Sequence, residues 1–302
     1  MKKIFSVLFL FGIFLIIYLY RTDITKYLVY NYIYKKEIEI PTSNEYRRSY
    51  DFELIKLTDN FYPNNKKELY NVFYTILNNG YEEFTFYCGE EYKDCSDDLK
   101  NITNSQDQIL STINNYVHPF NSYNSINVNI NNLGRINVKI EKLYNSEDIH
   151  KINSEVNRIY NLIIKPNMTD EQKIKTVHDY IINNTSYDKT WVNSTNKLSK
   201  ANTAYGPLYN KVALCGGYTD LMELFLEKMN IKSFKIASDN HIWNYVYLNG
   251  NWKHLDLTWD DPVTNTGKNL LQYDYYLLTT PQLKLKHDNE HTYNENLYLE
   301  AK

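Results

Sequence analysis

Asn249-Gly250 is the pair of residues that most constrains this chain. A two-residue type I′ hairpin turn needs positive φ at both central positions, and Asn-Gly supplies it. The flanks are His241-Ile242-Trp243-Asn244-Tyr245-Val246-Tyr247-Leu248 and Asn251-Trp252-Lys253-His254-Leu255-Asp256. Both are rich in the aromatic and β-branched residues that suit strands. The turn predicts that Leu248 pairs with Asn251, which sets the register of every other pair. His241 then faces Thr258, and Trp243 faces Asp256. Side chains alternate along a strand, so His241 and Asp256 share a face as diagonal neighbours, about 7–8 Å apart at the backbone. A three-residue loop would put them on opposite faces.

A second segment bears on that couple. Leu214-Cys215-Gly216-Gly217-Tyr218 leads into Leu221, Met222, Leu224, Phe225, Leu226 and Met229, an apolar helix with Cys215 at its start. Helix N-terminal amides and the helix dipole stabilise a thiolate. Gly216 and Gly217 let other backbone come close. A lone cysteine is more often a small buried apolar residue. A helix-terminal cysteine with a His–Asp couple instead follows the logic of an activated nucleophile. Cys215 is the candidate nucleophile, His241 the base and Asp256 the acid that orients the imidazole. The Cys215 amide is the candidate oxyanion donor, with Tyr205 as a guess for a side-chain donor. No metal or cofactor is required. His254, on the same face as Asp256, is a rival partner, although it lies on the strand of the acid.

The rest of the 302 residues frames these segments. With 33 basic and 36 acidic side chains the net charge is -3, which argues against a nucleic-acid partner. Met1-Lys2-Lys3 precedes an apolar run from Phe5 to Tyr20 with no small-residue cleavage site after it. A signal anchor is favoured there over a cleaved signal peptide, with the remainder exported. Cys88 and Cys95 are close enough in sequence to form a disulfide, as suits an oxidising compartment, and leave Cys215 over. Residues 21–60 read as a stalk and a first strand. Helical spacing marks Lys66–Asn79, a helix capped by Ser96 and another from Ser146. Glu83–Cys88 reads as a strand. Ser125–Asn131 and Arg135–Leu143 read as a hairpin. Thr169-Asp170-Glu171-Gln172 is a capping box for a helix carrying His178, read as a structural histidine. Tyr273–Leu278 reads as a last strand. Trp243, Trp252 and Trp259 are expected as core or wall, and Asn244 and Asp260 as holders of local backbone.

Tyr205-Gly206, Leu214-Cys215-Gly216-Gly217-Tyr218, His241-Ile242-Trp243-Asn244 and Trp252-Lys253-His254-Leu255-Asp256-Leu257-Thr258-Trp259-Asp260-Asp261-Pro262 occur in an order that resembles the transglutaminase-like superfamily, especially its bacterial secreted or membrane-anchored branch. The resemblance covers about residues 165–290. It implies an α+β fold with a papain-like core, the Cys helix packed on an antiparallel sheet. A smaller mixed α/β region and an N-terminal membrane helix would precede that core. The expected divisions are 1–22 as anchor or signal peptide, 23–60 as stalk, 61–164 as support and 165–302 as catalytic domain. The implied activity is thiol-dependent amide-bond chemistry on a protein or peptide, as peptidase, amidase or glutamine acyl transferase, with Cys215, His241 and Asp256 as triad. The alternative is an inactive cell-surface binding or scaffolding domain. Two departures stand out. Ile236-Ala237-Ser238-Asp239-Asn240 runs straight into His241, where the family often has a glycine and a longer loop. No calcium-site run like that of the animal crosslinking enzymes is present.

Overall fold

The computed structural model describes residues 2–33, 38–89, 91–104, 108–131, 134–189, 200–263 and 270–302. The helices and strands in chain order are α1 (Lys2–Leu19), α2 (Arg21–Leu28), α3 (Lys66–Asn78), β1 (Glu83–Tyr87), α4 (Cys95–Thr103) and α5 (Ile109–Tyr116). Then come β2 (Tyr123–Ile130), β3 (Arg135–Lys142), α6 (Ser146–Ile163), α7 (Asp170–Asn183), β4 (Ser186–Tyr187) and β5 (Val212–Ala213). The last are α8 (Cys215–Lys228), β6 (Ser233–Ala237), β7 (Ile242–Leu248), β8 (Asn251–Leu255) and α9 (Thr280–Lys284). The fold is α+β. Its sheets run β1-β3-β2, β4-β5 and β6-β7-β8.

Local chemistry set most of these boundaries. The Thr169 hydroxyl accepts from the Gln172 amide, and the Gln172 side chain reaches back to the Thr169 N–H, so the capping box opens α7. In the hairpin, Leu248 pairs with Asn251, Tyr245 with His254 and Asn244 with Leu255. Asn249 and Gly250 have φ of 52° and 80°, as the two-residue turn demands. β2 and β3 pair as Ile126–Ile140, Val128–Val138 and Ile130–Ile136. The middle of their link, 132–133, lies outside the described residues.

Three expectations are corrected. Ser96 is not a cap: α4 begins at Cys95, and Asp94 before it makes no side-chain cap bond. Tyr273–Leu278 forms no strand. Leu277 takes a positive φ of 51°, which breaks an extended run, and only Leu278 bridges to His254. No strand forms among the described residues of 21–60 either. Instead Arg48, Phe52, Leu54 and Ile55 are buried against the body of the protein.

α1 carries exposed Phe9, Phe11 and Phe14. No helix among the described residues is long and apolar enough to cross a membrane. The apolar part of α1 starts after two lysines, and its sixteen residues reach about 24 Å, short of the ~30 Å hydrocarbon core. The N-terminal membrane helix expected above is therefore without support.

The β6-β7-β8 sheet separates two apolar clusters. Phe234, Ile236, Trp243 and Tyr245 belong to one, with α3, β1 and β3; Val246, Leu248 and Leu255 belong to the other, with α6, α7 and α8. The boundary between the expected support region and catalytic domain thus does not separate two cores. α8 lies on the sheet through polar contacts. The Lys235 ammonium meets Asp220 at 2.9 Å, and the Asn244 amide donates to the Thr219 carbonyl and to Glu223.

Candidate active site

Cys215 opens α8, after Leu214 in extended conformation. The turn Lys200–Asn202 packs directly on this helix start. The Leu214 N–H donates to the Ala201 carbonyl at 2.7 Å. A Cβ on Gly216 would stand 2.3 Å from the Asn202 side-chain oxygen, and one on Gly217 would stand 2.3 Å from the Ala201 carbonyl oxygen. The two glycines are therefore what lets this backbone approach.

His241 lies one residue before β7, in a turn closed by the Ser238 N–H donating to the His241 carbonyl and the His241 N–H donating to the Ser238 hydroxyl. The Thr219 hydroxyl, one turn into α8, donates to the carbonyl of Ile242. That bond ties the start of the Cys helix to the strand end that carries His241. The His241 ring is stacked on Trp243, centroids 5.6 Å apart.

His241 Nε2 stands 2.5 Å from Asp256 Oδ2. A carboxylate only accepts, so the Nε2 proton points at Asp256 and Nδ1 is left for the thiol side. Asp256 is buried, and its other oxygen accepts the Thr258 and Trp259 N–H groups at 2.8 and 3.3 Å. Burial alone would raise the Asp256 carboxyl, but the charge and hydrogen bond of His241 outweigh it and hold the group well below the usual carboxylate range. The same balance governs His241. Burial would lower the imidazole; the Asp256 carboxylate and then the Cys215 side chain outweigh it, and the ring is pushed up to about 10.

Residues 158–257 match the family model described as the Transglutaminase-like superfamily, and the span includes Cys215, His241 and Asp256. No curated protein matches the chain. Among solved structures it is similar to a TGase at 14% identity, over 58% of this chain and 49% of that one, with a TM-score of 0.35. It is also similar to a protein of Cytophaga hutchinsonii presented as a candidate cysteine protease, at 15% identity over 49% of this chain and 65% of that one, TM-score 0.29. Both likenesses span less than two thirds of those chains and decide nothing further.

The other candidates within the matched span fall into structural places. His254 is buried, accepts from the Trp243 indole N–H at 3.0 Å and meets the Thr280 hydroxyl at 3.1 Å. Burial, with His291 and Lys284, pushes it down to about 3; both of its ring nitrogens are engaged on Trp243 and Thr280, away from the Asp256 carboxylate that holds His241. His178 is wholly buried between Asp179 and Asp260, and Asp260 also accepts the Tyr275 N–H. Asn244 fastens α8 to β7, as described above. Tyr205 is packed on Tyr209 with the Lys200 ammonium over its ring. Tyr187 is closer to the chemistry: burial first, then the nearby Cys215, raise its phenol.

Cys88 and Cys95 are disulfide-bonded with Cα atoms 6.1 Å apart, which leaves Cys215 as the free thiol. One participant went unread in the sequence. His291 Nε2 stands 2.9 Å from the same Asp256 oxygen that His241 uses. Asp288-Asn289-Glu290-His291 has an Asp–His spacing of three as its only signal, and nothing local ties it to Asp256. His241, Asp256 and His291 are also a group of described residues that could hold a metal ion, their ligand atoms within 4.8 Å of one another. Both histidine Nε2 atoms are already engaged on Asp256.

Proposed function

We propose that this protein is a thiol-dependent enzyme acting on amide bonds of a protein or peptide through an acyl-enzyme at Cys215. The observation that carries the proposal is the buried His241–Asp256 couple, 2.5 Å apart, facing a cysteine at a helix N-terminus. His241 takes the thiol proton, and the Cys215 sulfur attacks the substrate carbonyl carbon. The developing oxyanion lies by the first amides of α8, which lack partners within the helix. His241 then returns its proton to the departing amine, leaving a thioester. Water or a primary amine, deprotonated by His241, resolves the thioester to acid or new amide. Asp256 keeps the Nε2 proton in place throughout. This reading makes the domain papain-like in fold, with α8 packed on an antiparallel sheet.

The proposal places the protein at a membrane surface on the exported side. The exposed apolar row of α1 and the Cys88–Cys95 disulfide, a bond that persists in oxidising compartments, support that placement.

The test incubates the full chain with glutamine-containing peptides, with and without a primary amine, under mass spectrometry. Peptide cleavage, deamidation by about one mass unit or amine incorporation, each abolished by Cys215→Ala, is the expected result. Products that persist unchanged in Cys215→Ala would remove the enzyme reading.

A further inference from the structure

Asp256 carries a second imidazole. His291 is 6% exposed and sits between two carboxylates, with Nε2 at 2.9 Å from Asp256 Oδ2 and Nδ1 at 2.7 Å from Asp288 Oδ1. Asp288 is itself anchored: its Oδ1 accepts the His291 backbone N–H at 2.9 Å and its Oδ2 accepts the Tyr275 hydroxyl at 3.0 Å. His291 thus bridges the two acids, and because an ionised carboxylate only accepts, it is an N–H at Nε2 that holds Asp256. The ring's plane is set by Tyr275, stacked at 4.7 Å and 17°, while the Trp243 and Trp259 rings meet it edge-on at 4.8 and 5.1 Å. The charged and titratable groups facing it include Asp256, Asp288, the His241 ring at 5.2 Å, the buried His254, and Tyr275, whose ring has the Lys286 ammonium 5.0 Å away. Asp288 and His291 also line a cavity of about 350 Å³. The segment that delivers them runs from α9 to the C-terminus, beyond the matched family span.

We propose that His291, held by Asp288, is a positioning residue of the site, which fixes the carboxylate of Asp256 so that it stays aimed at His241. The inference rests on the reading of Cys215 and His241 given above. Geometry makes the reason plain. One oxygen of Asp256 is shared by two imidazoles, and the other is pinned by the Thr258 and Trp259 amides. With four donors in place the carboxylate cannot rotate without breaking hydrogen bonds in a buried site, where each unmade bond is costly. Removing His291 frees one lone-pair direction and lets Asp256 turn off His241. A residue that matters only for folding would instead lower stability and leave the reactivity of the folded protein untouched.

The test needs no knowledge of the substrate. Cys215 is the free thiol, so the rate of its alkylation by iodoacetamide in the full chain reports on His241 and Asp256 directly. Rates are measured from pH 5 to pH 9 on the native protein, His241→Ala, His291→Ala, His291→Gln and Asp288→Asn, with folding checked by circular dichroism. Partners one step behind a reacting group typically carry about a tenfold effect. His291→Ala is therefore expected to slow alkylation at pH 6 by roughly tenfold and to move the profile toward that of an ordinary thiol. His291→Gln, which keeps an N–H toward Asp256, is expected to retain the native rate within about threefold. Asp288→Asn, which keeps the shape of its side chain, covers the case in which His291→Ala does not fold, and is expected to fall between the two. Native rates in folded His291→Ala and Asp288→Asn, with His241→Ala slow, would overturn the proposal and leave the enzyme reading intact. Equal slowing in His291→Ala and His291→Gln would also overturn it, because the donated hydrogen bond would then not be what matters. A native protein that reacts as an ordinary thiol, indifferent to His241→Ala, would overturn both.

Discussion

At the scale of single residues, the His241–Asp256 couple has a consequence for stability. The folded protein raises His241 from its ordinary 6.5 to about 10, chiefly against burial, through Asp256 and then Cys215. A group that binds its proton more tightly when folded stabilises the fold fully below its unfolded pKa and loses that contribution as pH rises through the folded one. The His241 contribution is thus complete below about pH 6.5 and declines from there to pH 10. Asp256 behaves oppositely, being depressed below 3.8: its contribution is present above that value and lost in stronger acid. Urea denaturation of the native protein and of His241→Gln at pH 6, 8 and 10 should show the difference between them shrinking as pH rises. A gap that stays constant or widens would contradict the assignment of the raised group.

At the scale of elements, the start of α8 matters most. Ala is favoured over Gly in a helix by about 1 kcal/mol. At Gly217 a Cβ would stand 2.3 Å from the Ala201 carbonyl oxygen, which is already held by the Leu214 N–H. Overpacking of this kind costs about 1–3 kcal/mol, so the clash wins. Gly217→Ala is expected to lower stability by roughly 1 kcal/mol and to slow Cys215 alkylation, because the helix start must move. Thermal denaturation and alkylation rates check both; a stabilised variant with native reactivity would refute the close approach. The elements also show what was readable beforehand. Asn249-Gly250 predicted the β7–β8 register from Leu248–Asn251 to Asn244–Leu255, because turn chemistry and strand alternation are local rules. The expected pairs Trp243–Asp256 and His241–Thr258 are not formed, because β8 ends at Leu255 and the Asp256 N–H turns to the Tyr275 carbonyl. The Thr169 box was legible for the same reason. Tyr273–Leu278 looked like a strand by composition, yet the Leu277 backbone and the bonds of Tyr275 to Asp260 and Asp256 follow tertiary demands that no local pattern carries. His291 was missed likewise: its partner lies 35 residues upstream.

At the scale of the molecule, the segment read as a stalk proves to be part of the framework behind the site. Arg48, from that segment, lies wholly buried 2.6 Å from Glu223 of α8, and donates as well to the Tyr116 and Ser233 carbonyls. Glu223 also accepts from Ser233 and Asn244. Breaking one partner of a buried pair leaves an uncompensated charge, at about 3–5 kcal/mol, whereas replacing both by apolar groups is often close to neutral. Arg48→Met should therefore destabilise the protein by roughly 3–5 kcal/mol in chemical denaturation, and Arg48→Met with Glu223→Leu should recover much of that loss. A single variant with native stability would show that the segment is not integral to the fold. The framework as a whole serves one sulfur atom, and its reactivity is the most direct measurement. The rate of Cys215 alkylation by iodoacetamide at pH 6 should exceed that of an ordinary thiol by at least about tenfold and fall to the ordinary rate in His241→Ala. An ordinary rate in the native protein, unchanged by His241→Ala, would contradict the assignment of Cys215 as nucleophile.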